Sequence, residues 1–387
     1  ILFCQKEGNW LDDYACFKVL SQKYGPVIKN WPERLKAVSS EDKERLYGKY
    51  KALMSQQKLI QYLCFDQMHF VHLFADHHTV FLMGDMPYML SRDSVEVWLQ
   101  PSIFQLDMNL GTAPGYTTKK GEDWGLPPYD WNHIEANHFK YFKGRLLSLS
   151  HYFDLYRIDH CQGFFNQFII PKGRPPSAGS NEITDKQSML EAGKRRLTAL
   201  ANLAPMLPIA EDLRFDASQK KIIEALGIPG VNIFVWMNRA LPLSNLSIFG
   251  KDFNLMTITK LSNHDLPPIR TWWKDNPPLA RALASKMDWK YHVELNSQEQ
   301  LQLLWWQMHS SSLLHIEFLQ DILPPNIGGN SSDLRINFPG TNNERDWSYR
   351  FPLTIEELVS SKIVEDMIGG MLNSQGTSSI KKLAPLE

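Results

Sequence analysis

The sequence predicts an α/β fold built on a (β/α)8 barrel, and three observations predict it. Short apolar, β-rich runs alternate with helical stretches along most of the 387 residues, which is the pattern of a parallel sheet with crossover helices. Three of these runs end in a carboxylate: Asp159 in LYRIDH, Glu211 in LPIAEDL and Asp265 in TKLSNHD. Those acids are 52 and 54 residues apart, about two βα units each, and barrels of this kind assemble their active sites at C-terminal strand ends from residues far apart in sequence.

The elements follow in order. Residues 9–76 are mainly helical, with WLDDYACFKVLSQKYG, SEDKERLYGKYKALMSQQ and KLIQYLCFDQMHFVHLFADH. Ser40 with Lys43 makes no capping box, but Ser39, Ser40 and the acids behind them mark a helix start. HTVFLMGD (78–85) is a strand. Residues 86–135 are dense in Pro, Gly and aromatic residues; a loop of that length in a compact domain is usually functional. A helix over HIEANHFKYFKGRLLSLSHY leads to the strand FDLYRID (153–159). A polar loop (171–186), a helix through MLEAGKRRLTALANLA and the strand LPIAED (207–212) come next. SQKKIIEAL is a short helix that Gly227 stops. VNIFVW (231–236), LMTITKLS (255–262) and LLHIEFLQ (313–320) are further strands, and IEELVSSKIVEDMIGGML is a late helix. The expected strands start at 78, 153, 207, 231, 256 and 314, which is six where a closed barrel needs eight. The prediction is therefore one catalytic barrel domain over 1–387 without the first two barrel strands, with a helical insertion at about 9–76 and a substrate-covering loop region at about 86–135.

Composition narrows the function. A net charge of −1 gives no electrostatic reason to bind nucleic acid or a membrane surface. No apolar run approaches the roughly 18 residues of a membrane span. The cysteines Cys4, Cys16, Cys64 and Cys161 form no CxxC pair, so free buried thiols in a reducing, cytoplasmic setting are expected. The twelve histidines show no zinc-site spacing, and neither a metal nor an organic cofactor is expected.

Three acids at strand ends suggest cleavage of a glycosidic bond, which needs a nucleophile, a proton donor and charge stabilisation. Asp159 lies between Arg157 and His160; an adjacent guanidinium lowers a carboxyl pKa and keeps it ionised for attack. Glu211, after an apolar run, suits a proton donor. His264 and Asp265 can hold sugar hydroxyls. Each acid alone also fits a structural ion pair or a cap; the ordered set is the stronger signal.

The motifs WLDDYACFKVL, GDMPYMLSRDSVEVW, GEDWGLPPYDW, YRIDHCQGF, IAEDL, ALGIPGV, SNHD, QDIL and RINFPGTNNERDWSYR occur in that order. Together they resemble the amylomaltases, the disproportionating 4-α-glucanotransferases of the α-amylase clan, over nearly the whole chain. The resemblance implies Asp159 as nucleophile, Glu211 as acid and base, and Asp265 as donor-sugar ligand and transition-state stabiliser. It implies that Arg157 orients Asp159, that His160 and His264 contact the donor sugar, and that Asp85 supports the same subsite. Tyr116 and Trp124 match aromatics of a loop over the glucan, and Asn337 a polar residue near the donor site. The implied activity is transfer of α-1,4-glucan segments between maltodextrins by retaining double displacement, with glycogen-like or heteroglycan acceptors as further partners. Hydrolysis of α-glucans, or glucan binding without turnover, are the rival functions.

The chain departs from the family pattern at APGYTTKK, at the charged Gly121-Glu122-Asp123, at Arg214 and at the prolines of LPPIR after Asp265. No segment matches the two first strands and Ser-Pro-Tyr loop that the resemblance implies ahead of WLDDYA.

Overall fold

Six parallel strands stand where the apolar runs place them, in a computed structural model that describes residues 2–115, 119–240, 253–323, 334–339 and 343–372. In chain order the strands are β1 (Met83–Met86), β2 (Met108–Thr112), β3 (Glu122–Asp123), β4 (Leu155–Ile158), β5 (Phe168–Pro171), β6 (Ser180–Asn181), β7 (Leu207–Ala210), β8 (Gly230–Ile233), β9 (Thr257–Lys260) and β10 (Leu314–His315). The parallel strands form two three-stranded sheets, β1-β4-β7 and β8-β9-β10. Among the described residues they close no barrel.

The chain divides into two units, Ile1–Glu211 with Phe215–Ile228, and Asp212–Arg214 with Pro229–Glu387. In the first, the core gathers aromatic side chains such as Tyr88, Tyr129, Trp131, Phe142 and Phe164 around Ile158 and Ala210. A second cluster joins helix Gly8–Tyr24 to the start of helix Ser40–His77, with Phe17, Trp31, Tyr50, Met54 and Trp98 in contact. The far half of that long helix leaves Leu59, Leu63, Phe70 and Phe74 exposed. In the second unit, helices Ile269–Asp275, Pro277–Lys286 and Ser297–Met308 bury Trp272, Trp273, Leu283 and Leu304. Asp212 anchors β8, its buried carboxylate accepting the Val231 N–H at 2.7 Å. Glycine is required beside it, because a Cβ at Gly230 would lie 2.6 Å from that carboxylate.

Several expectations need correction. The long helix does begin with a capping box, formed by Ser39 and Asp42 rather than by Ser40 and Lys43. The first strand starts at Met83 because Thr79 turns the chain with φ 58° and the Val80 N–H closes back on Ala75. The 231–236 run leaves the sheet at Ile233, and Phe234–Met237 turns as a helix that buries Phe234 and Val235. The last strand stops at His315, with helix Leu319–Ile322 following. Inside 86–135 and 171–186, parts expected as loop pair instead. β2 and β5 form the centre of an antiparallel sheet ordered β3-β2-β5-β6. Of the cysteines, all free, Cys16 and Cys161 are buried, but Cys4 and Cys64 are exposed. No helix among the described residues is long and apolar enough to cross a membrane.

Candidate active site

Register brings the first group together. β1, β4 and β7 align Asp85, Arg157 and Ile209 in one row. Asp159 and Glu211 are the first residues beyond the ends of β4 and β7, at the C-terminal edge of the sheet. The Glu211 N–H still reaches Ile158 O at 3.2 Å, and the Asp159 N–H reaches Met86 O at 3.3 Å. These bonds carry the sheet geometry one residue further and hold both acids side by side.

Arg157 is the hub. Its Nη1 donates to both oxygens of Asp85, at 3.0 and 2.8 Å. Its Nη2 lies 3.0 Å from Asp159 Oδ1 and 3.1 Å from Glu211 Oε2. The guanidinium is buried while Asp85 remains half-exposed. One cation thus faces three carboxylates.

Backbone donors complete the pair. The Tyr88 N–H donates to Asp159 Oδ2 at 3.2 Å, and the His160 N–H donates to Glu211 Oε2 at 2.8 Å. His160 takes φ 43° to do so, a left-handed conformation that is uncommon for a non-glycine residue. Burial raises the pKa of Asp159; Arg157 pulls it down, Glu211 pushes it up, and the net direction is upward. The expected lowering by Arg157 is therefore overturned, because desolvation of the carboxylate outweighs its attraction to the guanidinium. Trp124 sets its ring edge-on to His160 at 5.2 Å, and its indole N–H donates to Glu122 at 3.0 Å.

The second unit gathers the other three residues. His264 Nε2 lies 3.1 Å from Asp265 Oδ2, and Asn337 Nδ2 donates to Asp265 Oδ1 at 2.7 Å. The Asn337 N–H bonds His264 O at 3.1 Å. Asn263 turns the loop by accepting the Asp265 and Leu266 N–H groups, each at 3.0 Å.

The predicted residues thus fall into two groups: Asp85, Trp124, Arg157, Asp159, His160 and Glu211 in the first unit, and His264, Asp265 and Asn337 in the second. Tyr116 lies outside the described residues. Sequence reasoning missed Tyr88, whose buried ring packs on Gly163 so closely that a Cβ there would lie 2.3 Å from it. It also missed Arg335, which donates to Asp265 O at 3.1 Å and Asn337 O at 2.9 Å. Trp347, with its ring 5.3 Å from that of His264, is a third. The available signals were the Tyr directly after GDMP and the Arg opening RINF.

Comparison with known proteins gives the family. Residues 2–354 match the family model described as 4-alpha-glucanotransferase. The 4-alpha-glucanotransferase of Chlamydia caviae is 30% identical over 367 residues, covering 93% of this chain and 68% of the relative. That of Chlamydia pneumoniae is 30% identical over 366 residues, with the same shares. Among solved structures, the amylomaltase of Streptococcus agalactiae in complex with acarbose aligns with a TM-score of 0.80 at 22% identity, covering 95% of this chain and 72% of that one. That likeness gives the chain a barrel-like glycoside hydrolase fold of the amylomaltase kind, and the chain belongs to the 4-α-glucanotransferase family.

Proposed function

We propose that this chain transfers α-1,4-glucan segments between maltodextrins by a retaining double displacement, and that its six parallel strands are strands of a (β/α)8 barrel. The observation that carries the reading is the shared grip of Arg157 on Asp159 and Glu211. Two oxygens lying 3.0 and 3.1 Å from one nitrogen are no more than about 6 Å apart, which is compatible with the close carboxyl pair of retaining enzymes.

In the first half-reaction the Asp159 carboxylate attacks the anomeric carbon. The glycosidic C–O bond breaks, and the leaving oxygen takes the proton of Glu211. In the second, Glu211 removes the proton of an incoming glucan 4-hydroxyl, whose oxygen attacks the same carbon and releases Asp159. Asp265, fixed by His264 and Asn337, binds donor hydroxyls and stabilises positive charge on the ring. Asp85 and Arg157 hold the pair in place, His160 and His264 contact the donor sugar, and Trp124 with Tyr116 covers the glucan. Short maltodextrins serve as donor and acceptor.

Maltotriose is the test. The wild-type chain is expected to give glucose with maltopentaose and longer chains, and Asp159→Asn to give none of these. Glucose and maltose without longer products would replace transfer by hydrolysis. No turnover would replace both by glucan binding.

A further inference from the structure

The loop that carries His264 and Asp265 is pinned at both ends by one buried carboxylate, that of Asp321. Its Oδ2 accepts the Ser262 hydroxyl and its Oδ1 accepts the Ile269 N–H at 2.6 Å. Between these pins lie residues 263–268, which include the Asx turn of Asn263 and the acid itself. Glu317 adds a grip one residue earlier, accepting the Leu261 N–H at 3.0 and 3.2 Å. The clamp is itself anchored: buried Gln300 donates to Asp321 O at 2.7 Å and to Leu323 O at 2.9 Å.

A carboxylate with no exposed surface is costly to bury, and an apolar residue would serve packing alone better. What Asp supplies is two acceptor oxygens on one short arm, able to hold donors from both sides of a loop at once. We infer that Asp321 is a positioning residue for the transfer reaction: it sets the loop 263–268 so that Asp265 meets the donor sugar. This rests on the transferase reading above.

The test is a double-mutant cycle on folded protein, read as consumption of α-maltotriosyl fluoride with maltotriose as acceptor. Asp321→Ala is expected to lower kcat about tenfold or more with KM changed less than about threefold. Asp321→Asn, which keeps an acceptor for Ile269 and a partner for Ser262, is expected to recover most of that loss. In the Asp265→Asn background, Asp321→Ala is expected to cost almost nothing further, because the residue it positions is already disabled. Equal losses in both backgrounds, or wild-type kcat in folded Asp321→Ala, would overturn the inference. If Asp321→Ala does not fold, Ser262→Ala replaces it in the same cycle, with the same two outcomes. Amide exchange of the 262–269 segment gives a reading independent of turnover. It is expected to quicken in the pin variants, and unchanged protection would overturn the clamp. An inactive wild-type chain would instead count against the transferase reading, and the exchange result would still decide the clamp.

Discussion

The two units hold their acids in opposite ways. In the first, Asp85, Asp159 and Glu211 crowd one guanidinium, and burial raises the pKa of Asp159. In the second, Asp265 is held by the Asn337 amide and the His264 ring, with Arg335 on its backbone oxygen. Asp159 and Asp265 each follow a parallel strand and are part-buried. On the proposed mechanism the difference lies in what each is asked to do. Acids that exchange a proton and a covalent bond need neighbours that set their charge, whereas an acid that holds hydroxyls needs neighbours that set its angle.

If that contrast is right, the largest loss comes from the hub. Arg157→Ala is expected to reduce kcat/KM by roughly 10³-fold or more, since it strips a buried charge from three carboxylates. Arg157→Lys is expected to rescue little, because a point charge cannot replace a planar fork with several partners. On the other side, Asn337→Ala removes one hydrogen bond to Asp265 and is expected to cost about tenfold. Steady-state kinetics of the variants would reverse the contrast if Asn337→Ala proved the more damaging.

The pH dependence separates the units in kind. On the proposed mechanism Asp159 attacks only when ionised, and its pKa is raised. The kcat/KM profile should therefore fall on the acid side at a pH above the ordinary Asp range of about 4. In the second unit, burial raises Asp321 to about 7, against the hydrogen bonds of Ser262 and Ile269 and the charge of Arg270; burial and the charge of Asp321 raise Glu317 as well. A raised folded-state pKa stabilises the fold fully below the unfolded value and loses that contribution as pH rises through the folded one. The contribution of Asp321 to thermal stability should thus decline between about pH 4 and pH 7, so Asp321→Asn should gain stability relative to wild type as pH rises through that window. A difference between wild type and Asp321→Asn that stays constant through this window would contradict the assignment. The smallest effect is expected far from either site. Ser39→Ala removes the capping box of the long helix, costs about 1 kcal/mol by denaturant unfolding and leaves kcat unchanged.

Much of this was legible in the sequence, for physical reasons. A parallel strand buried on both faces is a short, continuous apolar run, so LYRID and LPIAED announced β4 and β7 and placed Asp159 and Glu211 at their ends. Strand limits were less legible. The apolar runs 231–236 and 313–320 continue past the sheet into short helices, and hydrophobicity does not distinguish a buried strand from a buried turn of helix. The antiparallel sheet β3-β2-β5-β6 was hidden because its central pairing, β2 with β5, joins segments about 60 residues apart, and β2, β3 and β6 are short and polar or glycine-bearing. The pKa of Asp159 was misjudged because sequence shows the neighbouring Arg157 but not the burial that outweighs it. Asp321 was invisible as a clamp: QDIL names the acid, yet only the fold brings Ser262 and Ile269 to its two oxygens.

The division of labour around Arg157 can be caught covalently. In Glu211→Gln, α-maltotriosyl fluoride needs no proton donor to leave, while release of the glycosyl-enzyme is slowed by loss of the base. Peptide mass spectrometry of that variant should show a maltotriosyl ester on Asp159. An ester on Asp85 or Asp265, or no adduct while fluoride is still released, would contradict the assignment of Asp159 as the nucleophile.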